Sequence, residues 1–329
     1  MIRFTHRSRV TVRWSPEPRG PRSEGSRNVV ATRDSIEEAS LMNGIEQIPF
    51  APALKLTGAM GTRSYFQFVE GSGLDYGLVL AVLREEAAGC IFRGLIPPQV
   101  CDAISTNFWQ NPSLRQREDG VPAFYVGTYH YQKELSDYFQ EAAAARAAMA
   151  KLFDSTDNFI QAWLAGFSGY LAVRGMALRP AADGRREAAA FIMRSWSGAG
   201  DFALKPHDDF AQMRDPRQAG FEIQEVCDHA VVAFNACIEN GVGGSLCYWN
   251  LQPDDVLRSR LGLELTGYPY PLDVLETVPK LTIPIRRGDV YLFNGKNIHA
   301  VGPQSEHESR LTISLLMGFK DPRTVIYWT

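Results

Sequence analysis

The feature that most restricts the fold is a change of period at Asp183-Gly184. Upstream, apolar residues recur at helical spacing; downstream they come in short β-branched and aromatic runs cut by Gly and Pro. Before the change, two long helices are expected. One covers 134–153 and is Ala-rich; the other covers 158–174, with Phe159, Trp163, Phe167 and Leu171 recurring every fourth position. After it, strands are expected at 188–196, 230–238, 245–249, 281–285, 289–293, 300–301 and 311–319. Many short strands with such punctuation mean a sandwich or barrel, and the count fits a jelly roll. The expected fold is therefore mainly β with flanking α-helices, around a double-stranded β-helix (jelly roll, cupin-like) core.

The first 41 residues differ from the rest. Arg, Ser, Pro and Glu dominate between Arg7 and Arg27, so this stretch cannot bury enough apolar surface to offset its ordering entropy and reads as a flexible extension. Met42 offers an alternative start. From Ile45 the pattern becomes globular, with strands expected at 48–50, 65–69 and 90–95 and a helix at 76–86. A second helix opens at Ile96-Pro97-Pro98, where Pro suits a first turn, and runs to Phe108-Trp109. Residues 127–131 read as a polar-aromatic loop or short strand. Gly243-Gly244 reads as a sharp turn returning 245–249 as the partner of 230–238. No linker interrupts the pattern, so residues 42–329 are expected to form one domain. Its helical support covers about 72–180 and its jelly-roll core about 186–320, with the helices on one side.

Hydrophobic residues make up 45% of the 329 and charged residues 22%, enough to bury a sizeable core. A net charge of -3 gives no support to a nucleic-acid or anionic-membrane partner, and no apolar run reaches the length needed to cross a bilayer. The five cysteines include no Cys-x-x-Cys pair. They read as small buried hydrophobes in a reducing cytoplasm, not as a disulfide framework or zinc site.

The chemistry concentrates in the last third. Of six histidines, His207 stands in Lys205-Pro206-His207-Asp208-Asp209, and His299 follows the run Gly288-Asp289-Val290-Tyr291-Leu292-Phe293. Alternate side chains of an extended stretch share a face, so His207 and Asp209 are expected to point together with Asp208 turned aside. Alone, His-x-Asp is a weak signal. With His299 added it supplies two imidazoles and one carboxylate with other positions open, the ligand set of non-haem Fe(II) oxygenases. Arg310 follows on the next strand, with Thr312 on its face.

With these residues in place, the chain resembles the Fe(II)/2-oxoglutarate-dependent dioxygenases, whose shared pattern is His-x-Asp, a distal His, then Arg-x-Ser/Thr. The stretch 191–319 carries the likeness, and 234–246 resembles the prolyl-hydroxylase-like branch. Upstream, Ile91-Phe92-Arg93-Gly94-Leu95-Ile96-Pro97 and Asn107-Phe108-Trp109 are similar to the group of carrier-independent aliphatic halogenases and related amino-acid hydroxylases. The resemblance implies Fe(II) held by His207, Asp209 and His299. It also implies 2-oxoglutarate and O2 as co-substrates, ascorbate as an accessory reductant, and Arg310 with Thr312 on the distal carboxylate of 2-oxoglutarate. In the halogenating relatives a Gly replaces the Asp and makes room for chloride. Asp209 therefore implies hydroxylation, with release of succinate and CO2.

For the substrate, a small amino-acid-like or other natural-product metabolite, the sequence offers Arg194, Trp196, Phe210, Asn235, Trp249 and His130 as contacts. An Asn inside an apolar strand must satisfy its amide, which singles out Asn235; Tyr129, His130 and Tyr131 are candidates for a lid. Two other readings stay open: a protein or peptide hydroxylase on the same scaffold, and a cupin-like binding protein without catalysis. The sequence leaves the oligomeric state undetermined.

Overall fold

The computed structural model describes residues 56–71, 73–117, 123–198, 200–226, 229–305 and 308–329. The expected extension, the strand at 48–50, His6, Cys227 and His307 lie outside the described residues.

Two sheets build the core. The larger has 10 strands. Its main path runs Phe68–Gly71, Gly89–Phe92, Val290–Asn294, Val232–Asn240, Arg310–Asp321, Ile192–Trp196, Ala123–Val126 and Arg115–Gln116. Thr324–Trp328 pairs with the far half of Arg310–Asp321 and carries Ala177–Pro180 beside it in parallel. The smaller sheet has 4 strands in the order Leu204–His207, His299–Val301, Leu246–Trp249, Lys280–Ile283.

The period-2 rule decides what each strand of the large sheet faces. Val232, Phe234, Ala236, Val290, Leu292, Leu311, Ile313, Leu315 and Met317 form one buried cluster with the helices. Their alternates Ala233, Cys237, Tyr291 and Phe293 pack inward against Leu246, Tyr248 and Ile283 of the small sheet. The helices Tyr76–Leu83, Pro98–Trp109, Leu135–Lys151 and Phe159–Ala172 lie over the outer face, as the sequence pattern requires. Asn158 starts the last of them by accepting the Gln161 N–H at 3.0 Å. This helix delivers Trp163, whose ring stands 4.6 Å from that of Phe234. Such burial makes the large sheet a rigid wall, and the inner face of that wall carries the site.

One expectation fails. Leu246–Trp249 does not return on 232–240; it pairs with Lys280–Ile283 and His299–Val301 in the other sheet. The partners of Val232–Asn240 are Val290–Asn294 and Arg310–Asp321. Gly243 and Gly244 do have positive φ (98° and 60°), and a Cβ on Gly243 would stand 2.3 Å from the Pro303 carbonyl oxygen. The turn is sharp, but its stereochemistry carries the chain across the sandwich instead of back along one sheet. The strand expected at 65–69 begins only at Phe68, after a turn. Strands of the large sheet that went unread include Arg115–Gln116, Ala123–Val126, Ala177–Pro180 and Thr324–Trp328.

Candidate active site

His207 ends its strand and His299 begins the neighbouring one, and the two are register partners. This places their rings 4.1 Å apart between centroids. Two residues on, the Asp209 N–H donates to the Gly295 carbonyl at 2.8 Å. That bond sets the carboxylate with Oδ2 3.4 Å from His299 Nε2 and Oδ1 3.9 Å from His207 Nε2. One ligand atom from each residue lies within 4.8 Å of the others.

The outer nitrogens are fixed as well. His207 Nδ1 lies 2.9 Å from the Lys205 carbonyl, and His299 Nδ1 lies 2.9 Å from that of Asn297. A carbonyl only accepts, so each Nδ1 carries the proton and each Nε2 turns a lone pair toward the shared centre. Burial, with His299 alongside, pulls His207 down to about 4; burial does the same to His299. Both imidazoles are therefore neutral at neutral pH, the form that ligates a metal. Burial pushes Asp209 up to about 6, a penalty on its charge that a cation at the centre would lift. Two neutral, pre-oriented imidazoles and one carboxylate, converging where water is scarce, fit a divalent transition metal.

Asp208 points elsewhere. Its carboxylate is fully buried, 3.2 Å from Arg258 Nε, and accepts the Tyr270 hydroxyl at 2.7 Å. The N–H groups of Phe210 and Ala211 donate to it at 2.9 Å. This anchor holds the chain between positions 207 and 209, immediately beside both. Neither Arg258 nor Tyr270 was legible as its partner, since 50 and 62 residues separate them.

Arg310 and Thr312 stand on the inner face of their strand, both about 1% exposed. The Arg310 Nη1 donates to the Gly244 carbonyl at 2.5 Å, and Nη2 to the Tyr291 hydroxyl. Its Nε, the Thr312 hydroxyl and the Ser314 hydroxyl are buried without a partner. Buried polar atoms are rarely left so, which marks this wall as one that receives a polar ligand. Tyr291 and Ser314 were missed; the alternation Arg310, Thr312, Ser314 was the available signal.

The metal cluster and this wall line a single cavity of about 390 Å³ between the sheets. Arg194, Trp196, Asn235 and His130 line it too. His130 is buried with both ring nitrogens unpartnered, its ring edge-on to Tyr138 and Phe221; burial lowers it to about 4. Two expected contacts fall outside the lining. Trp249 belongs to the outer-face cluster with Leu251 and Leu257, because it alternates with Tyr248, which faces inward. Phe210 opens the 3-10 turn Ala211–Arg214, and its ring is turned to Arg258, Arg214 and Lys296. The four described cysteines Cys90, Cys101, Cys237 and Cys247 are buried and free. No described helix is long and apolar enough to cross a membrane.

A jelly roll with two imidazoles and a carboxylate converging at one end of its cavity, and an arginine on the wall, defines an Fe(II)/2-oxoglutarate-dependent oxygenase. Residues 77–329 match the family described as carrier-protein-independent halogenase WelO5, and the chain belongs to that family. It is 31% identical over 269 residues to the L-isoleucine 3(1)-dioxygenase of Pantoea ananatis (strain AJ13355), covering 78% of this chain and 86% of that protein. The solved structure of an N-substituted L-amino acid dioxygenase from Burkholderia ambifaria AMMD shares the fold, with a TM-score of 0.53 at 15% identity. That likeness covers 77% of this chain and 91% of the other. Despite the family's description, a hydroxylase rather than a halogenase agrees with the dioxygenase relative and with the carboxylate at Asp209.

Proposed function

We propose that residues 42–329 form one catalytic domain that hydroxylates an unactivated C–H bond of a small amino-acid-like metabolite in the cytoplasm. In this reading His207, Asp209 and His299 hold Fe(II), and Arg310 with Thr312 binds the distal carboxylate of 2-oxoglutarate. The observation that carries it is the convergence of three ligand atoms within 4.8 Å, on the same cavity as a buried, part-satisfied guanidinium. When bound, Fe(II) with 2-oxoglutarate and O2 supplies an oxidant able to take hydrogen from an aliphatic carbon, with succinate and CO2 as co-products.

The chain's own residues then have defined tasks. The Lys205 and Asn297 carbonyls orient the imidazoles through Nδ1. Asp209 supplies one negative charge and fills the position that chloride would need. Arg310, held by Gly244 and Tyr291, keeps Nε for a carboxylate oxygen, and the Thr312 and Ser314 hydroxyls complete the donor set. The inward face of Trp196 and the side chains of Ile192 and Leu246 exclude water and shape the substrate end. Buried, unpaired cysteines agree with a reducing compartment.

The test is anaerobic addition of Fe(II) and 2-oxoglutarate, followed by O2 and a panel of L-isoleucine, other aliphatic amino acids and their N-substituted forms. Succinate release coupled to a product 16 mass units heavier is expected (one oxygen atom, about 16). Chlorinated product from the wild-type protein in chloride buffer would overturn the hydroxylase assignment. Absence of both Fe(II) binding and succinate would favour a non-catalytic binding protein.

A further inference from the structure

Arg194 is a cation whose purpose the ferrous and 2-oxoglutarate sites do not account for. It stands mid-strand in Ile192–Trp196, register partner of Thr312 on one side and Tyr125 on the other. Its guanidinium lines the cavity and lies 5.0 Å from the Trp196 ring centroid. Its Nε is buried without a hydrogen-bond partner. Burial, with Arg117 nearby, lowers it only to about 10, so it is charged at neutral pH.

A count of charge around the cavity shows what is missing. Among the described residues, the lining side-chain carboxylates are Asp208 and Asp209 and the lining arginines are Arg117, Arg194 and Arg310; Asp208 is answered by Arg258. On the oxygenase reading above, the two charges of Fe(II) and the one of Arg310 are matched by Asp209 and the two carboxylates of 2-oxoglutarate. Arg117 is part-exposed and lies over the Tyr129 ring, which leaves Arg194, whose Nε is buried without a partner, as the cation to be matched. A desolvated cation without a counter-ion is costly, so the remaining occupant of the cavity should bring an anion. A single planar guanidinium with an open edge suits a carboxylate, which it can grip through two parallel bonds.

We infer that Arg194 is the substrate-binding residue that holds the substrate's carboxylate, so the enzyme selects organic acids by their acid end. The reacting carbon then lies at a fixed distance from that carboxylate along the chain of the substrate, and the rest of the molecule is selected by fit in the cavity.

The experiment uses the full chain with Fe(II) and 2-oxoglutarate, without O2. The visible absorption of the ferrous 2-oxoglutarate complex reports first that the site is formed, then its perturbation reports substrate binding. The probes are L-isoleucine, L-leucine, N-acetyl-L-leucine and hexanoic acid, each beside its carboxamide. At least one acid is expected to bind about 10- to 100-fold more tightly than its amide. In Arg194→Leu that preference should vanish while the 2-oxoglutarate titration is unchanged, and in Arg194→Lys part of it should return. The unchanged titration also reports that each variant is folded. The inference is overturned if no acid outbinds its amide, if the preference survives in Arg194→Leu, or if that variant instead weakens 2-oxoglutarate. If the absorption band fails to form in the wild-type protein, the oxygenase reading falls first and this inference with it.

Discussion

Asp208 and Asp209 are chain neighbours whose carboxylates serve opposite sides of the same turn. Asp208 is closed off by Arg258, Tyr270 and two backbone N–H groups, while Asp209 faces the two imidazoles. The pair therefore separates structure from chemistry. Asp208→Ala leaves the buried Arg258 only the exposed Asp255 at 3.4 Å and should cost about 3–5 kcal/mol of stability. Asp209→Ala removes a desolvated carboxylate whose burial outweighs the help it gets from charged neighbours, so metal-free stability should hold or rise while iron-dependent turnover is lost. Thermal unfolding of both apo variants, set beside succinate release, checks the split; equal melting temperatures would contradict it.

Gly295 guards the position of Asp209. A Cβ there would meet Asp209 Oδ2 at 2.4 Å, a distance no side chain tolerates. Gly295→Ala should push the carboxylate off the centre and weaken Fe(II) about 10- to 100-fold. Competition with a chromogenic chelator gives the affinity. An unchanged affinity would mean that Asp209 is not a ligand.

Arg310 should govern 2-oxoglutarate. Arg310→Ala removes a charge-assisted pair worth about 1.5–3 kcal/mol, seen as a raised KM for 2-oxoglutarate with Fe(II) affinity intact. Tyr291→Phe, which removes one of the two groups holding the guanidinium, should raise the same KM by less. A variant that leaves this KM unmoved and alters substrate KM would reassign Arg310.

Acid stability should depend on Glu222. Arg179 holds its carboxylate through Nη1 and Nη2 at 2.6 and 2.7 Å, Lys320 donates at 2.6 Å and the Ala182 N–H at 2.9 Å. Arg179 foremost keeps it at about 2, against an ordinary 4.5. A folded value below the unfolded one stabilises fully above pH 4.5 and is lost as the pH falls toward 2. Urea unfolding at stepped pH should therefore show a steeper loss for wild type than for Glu222→Gln across that window. Parallel curves would remove the assignment.

Much of this protein was legible from side-chain pattern alone. Helical spacing located Phe159–Ala172 and Leu135–Lys151 to within two residues. Alternation groups Ile192, Arg194 and Trp196 on one face and Met193 on the other, and the structure turns the first face to the cavity. The same rule, applied to 245–249, would have turned Trp249 outward beside Cys247 once Leu246 was known to face in. Nothing local says which face of an apolar strand is inside.

Local chemistry determined the residue types: a His-x-Asp, a later His, an Arg two positions before a Thr. Within His207-Asp208-Asp209 and within Arg310-Leu311-Thr312 the residues are near neighbours in the chain, and their relations are set by strand geometry over a few ångströms. Only the tertiary structure decided which sheet Leu246–Trp249 joins and what answers Asp208. It alone brought His299 beside His207, and left Arg194 facing the cavity with its Nε unpartnered. Each of these depends on residues far apart in sequence. Such pairings are chosen by the free energy of closing the whole sandwich, and no stretch of a dozen residues contains that information.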